Sequence, residues 1–246
     1  MSQKKKNKIK TYTPQSKSNN RKLITGIIIA VIIIGIASYG VISHDTSLGS
    51  KPNSQSNPTP SPTPSSTPLP TPPSTVTPLT GPTGEYSASS TKVLFITSMG
   101  DIVIQMRDDK PITTGNFVSL VNQGYYNNTV FHRVIAGFMI QGGEGSTTAS
   151  NIADEIGNDN HNLNMTVAMA NTGQPNSASS QFFINVANNN STSFDSAYTV
   201  FGQVIYGQDT VLAISNVPVQ ANAAYGGEVS QPKTPVTLIG AVVMPN

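Results

Sequence analysis

Residues 130–143 read VFHRVIAGFMIQGG, a run in which one arginine and one glutamine stand among Val, Ile, Phe and Met. Strand side chains alternate between the two faces of a sheet. Arg133, Met139 and Gln141 are therefore predicted to share one face, with His132 on the opposite face and turned toward the core. A soluble domain rarely places so few polar side chains in so apolar a run without using them, so this run is a candidate functional site.

A second run of the same kind follows about forty residues later, with VAMAN at residues 167–171 and SQFFI at residues 180–184. The same alternation puts Gln181 and Phe183 on one face of a strand. If the two runs face the same way, they form an apolar floor with one guanidinium and two amides at its edge. Together, and in this order, they resemble the signature of the cyclophilin family of peptidyl-prolyl isomerases, over a region extending from about Lys92 to Met244.

The resemblance implies roles for individual residues. Arg133 matches the catalytic arginine of the family, and Gln141 matches the residue that orients it. The matches to the proline pocket, its apolar rim and the positions that bind the substrate are Phe138, Met139, Phe183, Phe194, Tyr198, Ala170, Asn171 and Gln181. Residue by residue, other interpretations exist, because Phe183 and its apolar neighbours could be ordinary core and Arg133 could be a surface ion-pair partner.

The chain departs from the family pattern at two positions of the site. Ser193 stands where many members have tryptophan, and Tyr198 stands where many have histidine. The tryptophan supports binding of the drug cyclosporin in sensitive members, so weak or no cyclosporin binding is expected here. The expected substrates are polypeptides that contain X-Pro bonds.

The pattern of the remaining domain predicts many short strands and two helices. Lys92–Thr97 and Asp101–Met106 are predicted to form a hairpin. The spacing of apolar residues predicts helices over Thr113–Gln123 and Thr210–Ser215. This all-β pattern suggests a closed barrel capped by two helices, and the resemblance implies an eight-stranded antiparallel one, which we expect over residues 86–246.

The region before this domain has three parts with different compositions. Residues 1–22 carry eight of the 14 Lys and Arg residues and no Asp or Glu, and residues 23–42 are apolar and rich in isoleucine. The apolar run is long enough to span a membrane as a helix, and the basic tail is predicted to stay in the cytoplasm. A cleaved signal peptide is the alternative, although this run is longer than most signal-peptide cores.

Residues 43–85 are predicted to be a linker rich in Pro, Ser and Thr. Eleven of the 18 prolines lie between residues 51 and 82. Proline lacks an amide donor and restricts φ, so helix and sheet are disfavoured and an extended polyproline II spacer is expected. The linker is interpreted as a stalk that holds the domain clear of the membrane, or alternatively as a docking site for a proline-binding module.

Charge and composition exclude several functions. Beyond residue 22 the chain carries six basic and twelve acidic residues, and such an acidic body does not suit a nucleic-acid footprint, which needs a basic face. The chain has no cysteine, and the three histidines show no metal-ligand spacing. Because prolyl isomerisation breaks no covalent bond, no metal or cofactor is predicted.

These observations predict a membrane-anchored peptidyl-prolyl isomerase whose domain faces outward and assists the folding of exported proteins. Two alternatives come from other classes of protein. The domain could bind proline-containing segments without turnover, or it could be a structural surface module.

Overall fold

The structure, a computed structural model, describes residues 76–79 and 85–245. Within these ranges the chain forms eleven strands, most of them short and rich in β-branched and aromatic residues, as sheets favour. The strands are β1 Lys92–Thr97, β2 Gly100–Met106, β3 Thr129–Val130, β4 Arg133–Ile135, β5 Met139–Gly142, β6 Thr166–Met169, β7 Phe182–Asn185, β8 Val200–Tyr206, β9 Val219–Asn222, β10 Glu228–Pro232 and β11 Thr237–Val243.

Nine of these strands form one antiparallel sheet in the order β3-β11-β1-β2-β8-β6-β7-β5-β4, and β9 pairs separately with β10. The two end strands of the large sheet, β3 and β4, are separated along the chain only by Phe131 and His132. The sheet therefore wraps around a single core. The predicted mostly-β fold with few helices is confirmed. The large sheet has nine strands in the described part of the chain, and the closed barrel of eight strands stays a prediction.

The described residues include three α-helices, α1 Pro111–Asn122, α2 Thr192–Asp195 and α3 Gln208–Ser215. Proline at the first position of α1 suits a site where the amide would have no partner. The helix ends at Asn122, and the N–H of Gly124 donates to the carbonyl of Val121 at 2.9 Å. The φ of +68° at Gly124 turns the chain so that the N–H of Tyr125 reaches the carbonyl of Leu120 at 3.0 Å. Helices α1 and α3 were predicted, whereas the short α2 was not.

The core lies inside the wrapped sheet and is rich in aromatic rings. Phe117 of α1 lies 5.0 Å from Phe201 of β8 and 5.7 Å from Phe182 of β7, measured between ring centroids. Phe95 of β1 and Tyr126 complete the group, and all five side chains are fully buried. Burying one such ring contributes about 1.5–3 kcal/mol, so this group anchors α1 in the sheet.

The segment 76–79 packs against the outside of β1 and β2. The buried amide of Gln105 accepts a hydrogen bond from the N–H of Leu79 at 2.7 Å and donates one to its carbonyl at 3.0 Å. Val76 contacts the apolar cluster that includes Leu94 and Val103. An expressed fragment that keeps these partners of Gln105 should therefore begin at Val76.

None of the helices within residues 76–79 and 85–245 is long and apolar enough to cross a membrane. The predicted basic tail at 1–22 and the predicted membrane helix at 23–42 lie outside the described residues. Most of the predicted linker, residues 43–85, also lies outside them.

Candidate active site

The strand register places the predicted site residues side by side. Arg133 of β4 lies opposite Gln141 of β5, which lies opposite Phe183 of β7, which in turn lies opposite Ala168 of β6. The next residues along, such as Val134 and Ile140, belong to the interior core. The row from Arg133 to Ala168 therefore lies on the outer face of the sheet, as the alternation of side chains predicted.

An apolar cluster lies on this outer face, at the position of the predicted proline pocket. Its buried floor consists of Met139, Ala168, Phe183, Tyr198 and Val200, which form a cluster separate from the core. The partly buried residues around the floor are Phe138, Phe194, Ile135, Ala170 and Ala197. The ring of Phe194 lies 5.7 Å from Phe183 and 5.8 Å from Phe138. The structure thus brings the predicted apolar site residues into one cluster.

Helix α2 carries Phe194 to the rim of the pocket. The hydroxyl of Ser191 caps the helix by accepting a hydrogen bond from the N–H of Phe194 at 3.3 Å. The carboxylate of Asp195 accepts hydrogen bonds from the backbone N–H of Asn162 at 2.8 Å and from its side-chain amide at 3.2 Å. Because Asn162 is fully buried, these bonds attach the rim firmly to the body of the domain.

The polar edge of the pocket is a connected set of hydrogen bonds. Nη1 of Arg133 lies 3.4 Å from Oε1 of Gln141. Nε2 of Gln141 donates to Oε1 of Gln181 at 2.9 Å and to the hydroxyl of Tyr225 at 3.1 Å. The guanidinium and the two amides that the sequence predicted therefore form one network beside the apolar floor.

The remaining predicted residues, Ala170 and Asn171, lie just past β6. The N–H of Ala170 donates to the carbonyl of Gln181 at 2.9 Å, and the side-chain amide of Asn171 donates to the carbonyl of Ala197 at 2.7 Å. The side chain of Asn171 is thus engaged within the protein, which leaves its backbone as the part available to a bound chain.

Arg133 lies on the outer face of the large sheet, as the alternation predicted, but it is covered there rather than open to solvent. The residue is only 3% exposed, because the hairpin of β9 and β10 covers it. Glu228 of β10 accepts hydrogen bonds from Nε and from Nη2 of Arg133, both at 2.8 Å. These bonds to the guanidinium hold the pKa of Glu228 below its ordinary value.

Tyr225 packs on the other side of the arginine. The centre of its ring lies 4.9 Å from Cζ of Arg133, within the range of a cation–π contact. Its hydroxyl lies 3.2 Å from Nε2 of His132, and the two rings are stacked. His132 therefore does not pack into the core as predicted, and burial lowers its pKa. Burial also raises the pKa of Tyr225.

Sequence reasoning missed both Tyr225 and Glu228. Tyr225 lies 84 residues beyond Gln141, and Glu228 lies 95 residues beyond Arg133. Both belong to a segment in which apolar residues show no strong periodicity. One feature of the sequence could have indicated Glu228. An arginine set in an apolar strand needs a counter-charge, and Glu228 is one of only two acidic residues after Asp195.

The arrangement offers an apolar pocket with N–H donors along one edge. Within the part of the chain that the structure describes, no group of three or more His, Asp or Glu side chains is arranged to hold a metal ion. The geometry suits reversible binding of a small apolar ring whose polar neighbours receive hydrogen bonds.

Comparison with known proteins agrees with this geometry. The family model for cyclophilin-type peptidyl-prolyl cis-trans isomerase/CLD domains matches residues 92–243. A peptidyl-prolyl cis-trans isomerase of Acinetobacter baylyi is 44% identical over 168 residues, covering 64% of this chain and 88% of the relative. Isomerase B of Escherichia coli is 45% identical over 138 residues, covering 51% of this chain and 84% of the relative.

A solved structure is similar over the same region. A cyclophilin-type isomerase of Cryptosporidium parvum matches with a TM-score of 0.57 and 28% identity, covering 64% of this chain and 99% of that chain. The match takes in nearly the whole of that solved chain, so the solved protein has this fold without a segment equivalent to the remaining third of the present chain.

Proposed function

The chain belongs to the cyclophilin-type peptidyl-prolyl cis-trans isomerase family, and from this premise we propose that Arg133 and Gln141 catalyse isomerisation of X-Pro bonds held against Phe183. That the protein is a peptidyl-prolyl cis-trans isomerase follows from the family and from relatives of that name at 42–45% identity. The proposal concerns which residues carry the reaction.

Catalysis requires only that the protein bind the twisted amide of the transition state more tightly than either planar form. Resonance in the peptide bond creates a barrier of about 18–20 kcal/mol. As the bond twists, the proline nitrogen becomes pyramidal and gains a lone pair, which a fixed N–H donor stabilises in the transition state alone. Lowering the barrier by about 7 kcal/mol corresponds to roughly a 10⁵-fold acceleration.

Arg133 keeps donors available for this task. A guanidinium has five N–H groups, of which Glu228 engages the one on Nε and one on Nη2, and Gln141 faces Nη1. One N–H on Nη1 and one on Nη2 are left for the substrate. Met139 and Phe183 would hold the proline ring, and Gln141 and Gln181 would bind the neighbouring peptide groups.

The observation that carries the proposal is that Arg133 and Gln141 lie opposite each other on adjacent strands, next to the buried Phe183. The test is an isomerisation assay with X-Pro peptides on residues 76–246 and on a Gln141→Ala variant. Gln203→Ala is the control, since Gln203 is a half-buried strand glutamine on β8, whereas Gln141 is buried and lies opposite Arg133. We expect the Gln141 variant alone to lose activity. Equal activity of both variants would contradict the assignment.

The location of the isomerase is a second part of the proposal. The basic residues 1–22 followed by the apolar residues 23–42 support a single-pass anchor with the N-terminus in the cytoplasm. The proline-rich linker 43–85 supports a domain held outside the membrane. An isomerase placed there would meet exported chains as they emerge. It would be useful there because uncatalysed isomerisation takes tens to hundreds of seconds and can limit the rate of folding.

The two alternatives from the sequence are outcomes of the same assay. A module that only binds proline peptides would bind the X-Pro peptide without accelerating its isomerisation. A structural surface module would do neither.

Weak cyclosporin binding is also part of the proposal. Ser193 is an exposed residue of α2, and its hydroxyl lies 3.3 Å from that of Ser191. So small a side chain offers no apolar surface at the position where sensitive members of the family have an indole ring.

A further inference from the structure

The hairpin of β9 and β10 is attached to the strand that carries Arg133. It forms its own two-stranded sheet outside the large one, yet the buried side-chain amide of Asn222 donates to the carbonyl of His132 at 3.0 Å. The turn between its strands is a 3-10 helix at Ala223–Tyr225 followed by Gly226 and Gly227, whose φ angles are +64° and +86°. Two adjacent residues in this left-handed region suit glycine and make a tight turn.

This turn brings two side chains onto the guanidinium from different directions. Glu228 engages the edge formed by Nε and Nη2 with two bonds of 2.8 Å. Tyr225 lies against the planar face, 4.9 Å from Cζ. The contact at the edge restricts rotation of the guanidinium within its plane, and the contact at the face restricts tilting out of that plane.

We propose that Tyr225 and Glu228 are positioning residues for the isomerase reaction, acting through Arg133 and Gln141. The inference rests on the proposed role of Arg133 as the transition-state donor. Neither residue needs to touch the substrate. Glu228 turns the guanidinium so that its free N–H groups on Nη1 and Nη2 point away from the hairpin, and Tyr225 keeps it from tilting.

Preorganisation is the physical reason that such residues matter. A free arginine side chain has many accessible rotamers, and a donor already held in place does not lose that freedom when the substrate twists. The carboxylate also partly neutralises the guanidinium. This reduces its strength as a donor. The nitrogen lone pair is localised only in the twisted transition state and points in one direction, so the direction of the donor matters more than its charge.

Tyr225 also sets the orientation of Gln141. Its hydroxyl accepts a hydrogen bond from Nε2 of Gln141 at 3.1 Å and has its own proton left for Nε2 of His132 at 3.2 Å. With Nε2 of Gln141 held by Tyr225 and by Gln181, the Oε1 atom is the one that faces Arg133. One tyrosine thus holds both polar residues of the proposed mechanism.

The test compares Glu228→Gln and Tyr225→Phe with a matched control, Glu144→Gln, in residues 76–246. Glu144 is an exposed carboxylate 3.9 Å from Nδ1 of His132, so the control removes a nearby negative charge without touching Arg133. We expect kcat/KM to fall about tenfold in Glu228→Gln, mainly through kcat, and several-fold in Tyr225→Phe. The control should keep wild-type activity.

Two further readouts separate positioning from a purely structural role. In an Arg133→Ala background, Glu228→Gln should cause no additional loss, because its effect is carried by the arginine. The NMR signal of the Arg133 Nε–H should be protected from exchange in the wild type and lose that protection in Glu228→Gln. If Glu228→Gln fails to fold, Tyr225→Phe tests the inference by itself.

The pH dependence of kcat/KM is a further test of the role of Glu228. Glu228 has a lowered pKa because Arg133 binds its charged form. Positioning by Glu228 should therefore be complete above about pH 4.5 and be lost as the pH falls through the lowered pKa. Wild-type kcat/KM should decline in that acid range relative to its value at neutral pH, whereas Glu228→Gln should show no such decline.

Two results would overturn the inference. One is a folded Glu228→Gln variant with wild-type kcat/KM, and the other is a variant more active than the wild type, which would make Glu228 a restraint on the arginine. If instead the wild type were inactive, or Arg133→Ala fully active, the proposed function would have failed rather than the positioning role.

Discussion

Replacing Arg133 with alanine removes the proposed transition-state donor and leaves the apolar floor in place. Loss of one such donor typically costs about 2.7–4 kcal/mol in activation free energy, or a 10²–10³-fold fall in kcat/KM. Arg133→Lys should recover only part of this, because a flexible ammonium cannot make the two parallel bonds that Glu228 accepts from Nε and Nη2.

The same change should also lower stability, which an exposed arginine would not do. Arg133 is 3% exposed, and its removal leaves the carboxylate of Glu228 without its two bonds. The side chain of Glu228 is 29% exposed, so water can replace part of what is lost. We expect a loss of about 1–2 kcal/mol in the free energy of unfolding, which for a domain of this size lowers Tm by roughly 2–8 °C.

The assay is isomerisation of an X-Pro peptide by residues 76–246, with a thermal melt of each variant. Measurements should be made at least 15 °C below the lower Tm, so that the fraction folded is the same in all samples. A folded Arg133→Ala domain with full activity would falsify the mechanism. Loss of folding and activity together would favour a structural role for Arg133.

Three other predictions address the drug site, the topology and the fold. Cyclosporin should inhibit weakly, and Ser193→Trp should tighten inhibition; low-nanomolar inhibition of the unmodified domain would contradict the proposal. External protease on intact cells, with any outer membrane first opened, should release the 86–246 domain by cutting within residues 51–82; a protected domain beside a digested surface protein would mean the opposite orientation. Gly143→Ala should cost about 2–4 kcal/mol in urea unfolding, because its φ is +84° and a Cβ would meet a ring carbon at 2.7 Å. Gly137→Ala, with φ of +70° and open space around it, should cost clearly less; equal losses would show that crowding at Gly143 has no effect.

Local patterns along the chain were enough to predict the main elements and the face that the central site residues occupy. The hairpin of β1 and β2, helices α1 and α3, and the outward position of Arg133, Gln141 and Phe183 were all predictable. The reason is that the periods of strand and helix depend on neighbours in the chain, and an alternation of period two assigns each side chain to a face. The two sequence runs also sufficed to identify the family.

The environment of Arg133 depends on how distant strands pack against each other. The alternation placed the arginine on the outer face, but it carried no information about what covers that face. The hairpin that does so contributes Glu228 and Tyr225 from 95 and 92 residues further along the chain, and their contacts depend on how β10 packs against β4. Contacts of such separation are set by the packing of whole elements, so the buried ion pair at the site could be found only once the chain was folded.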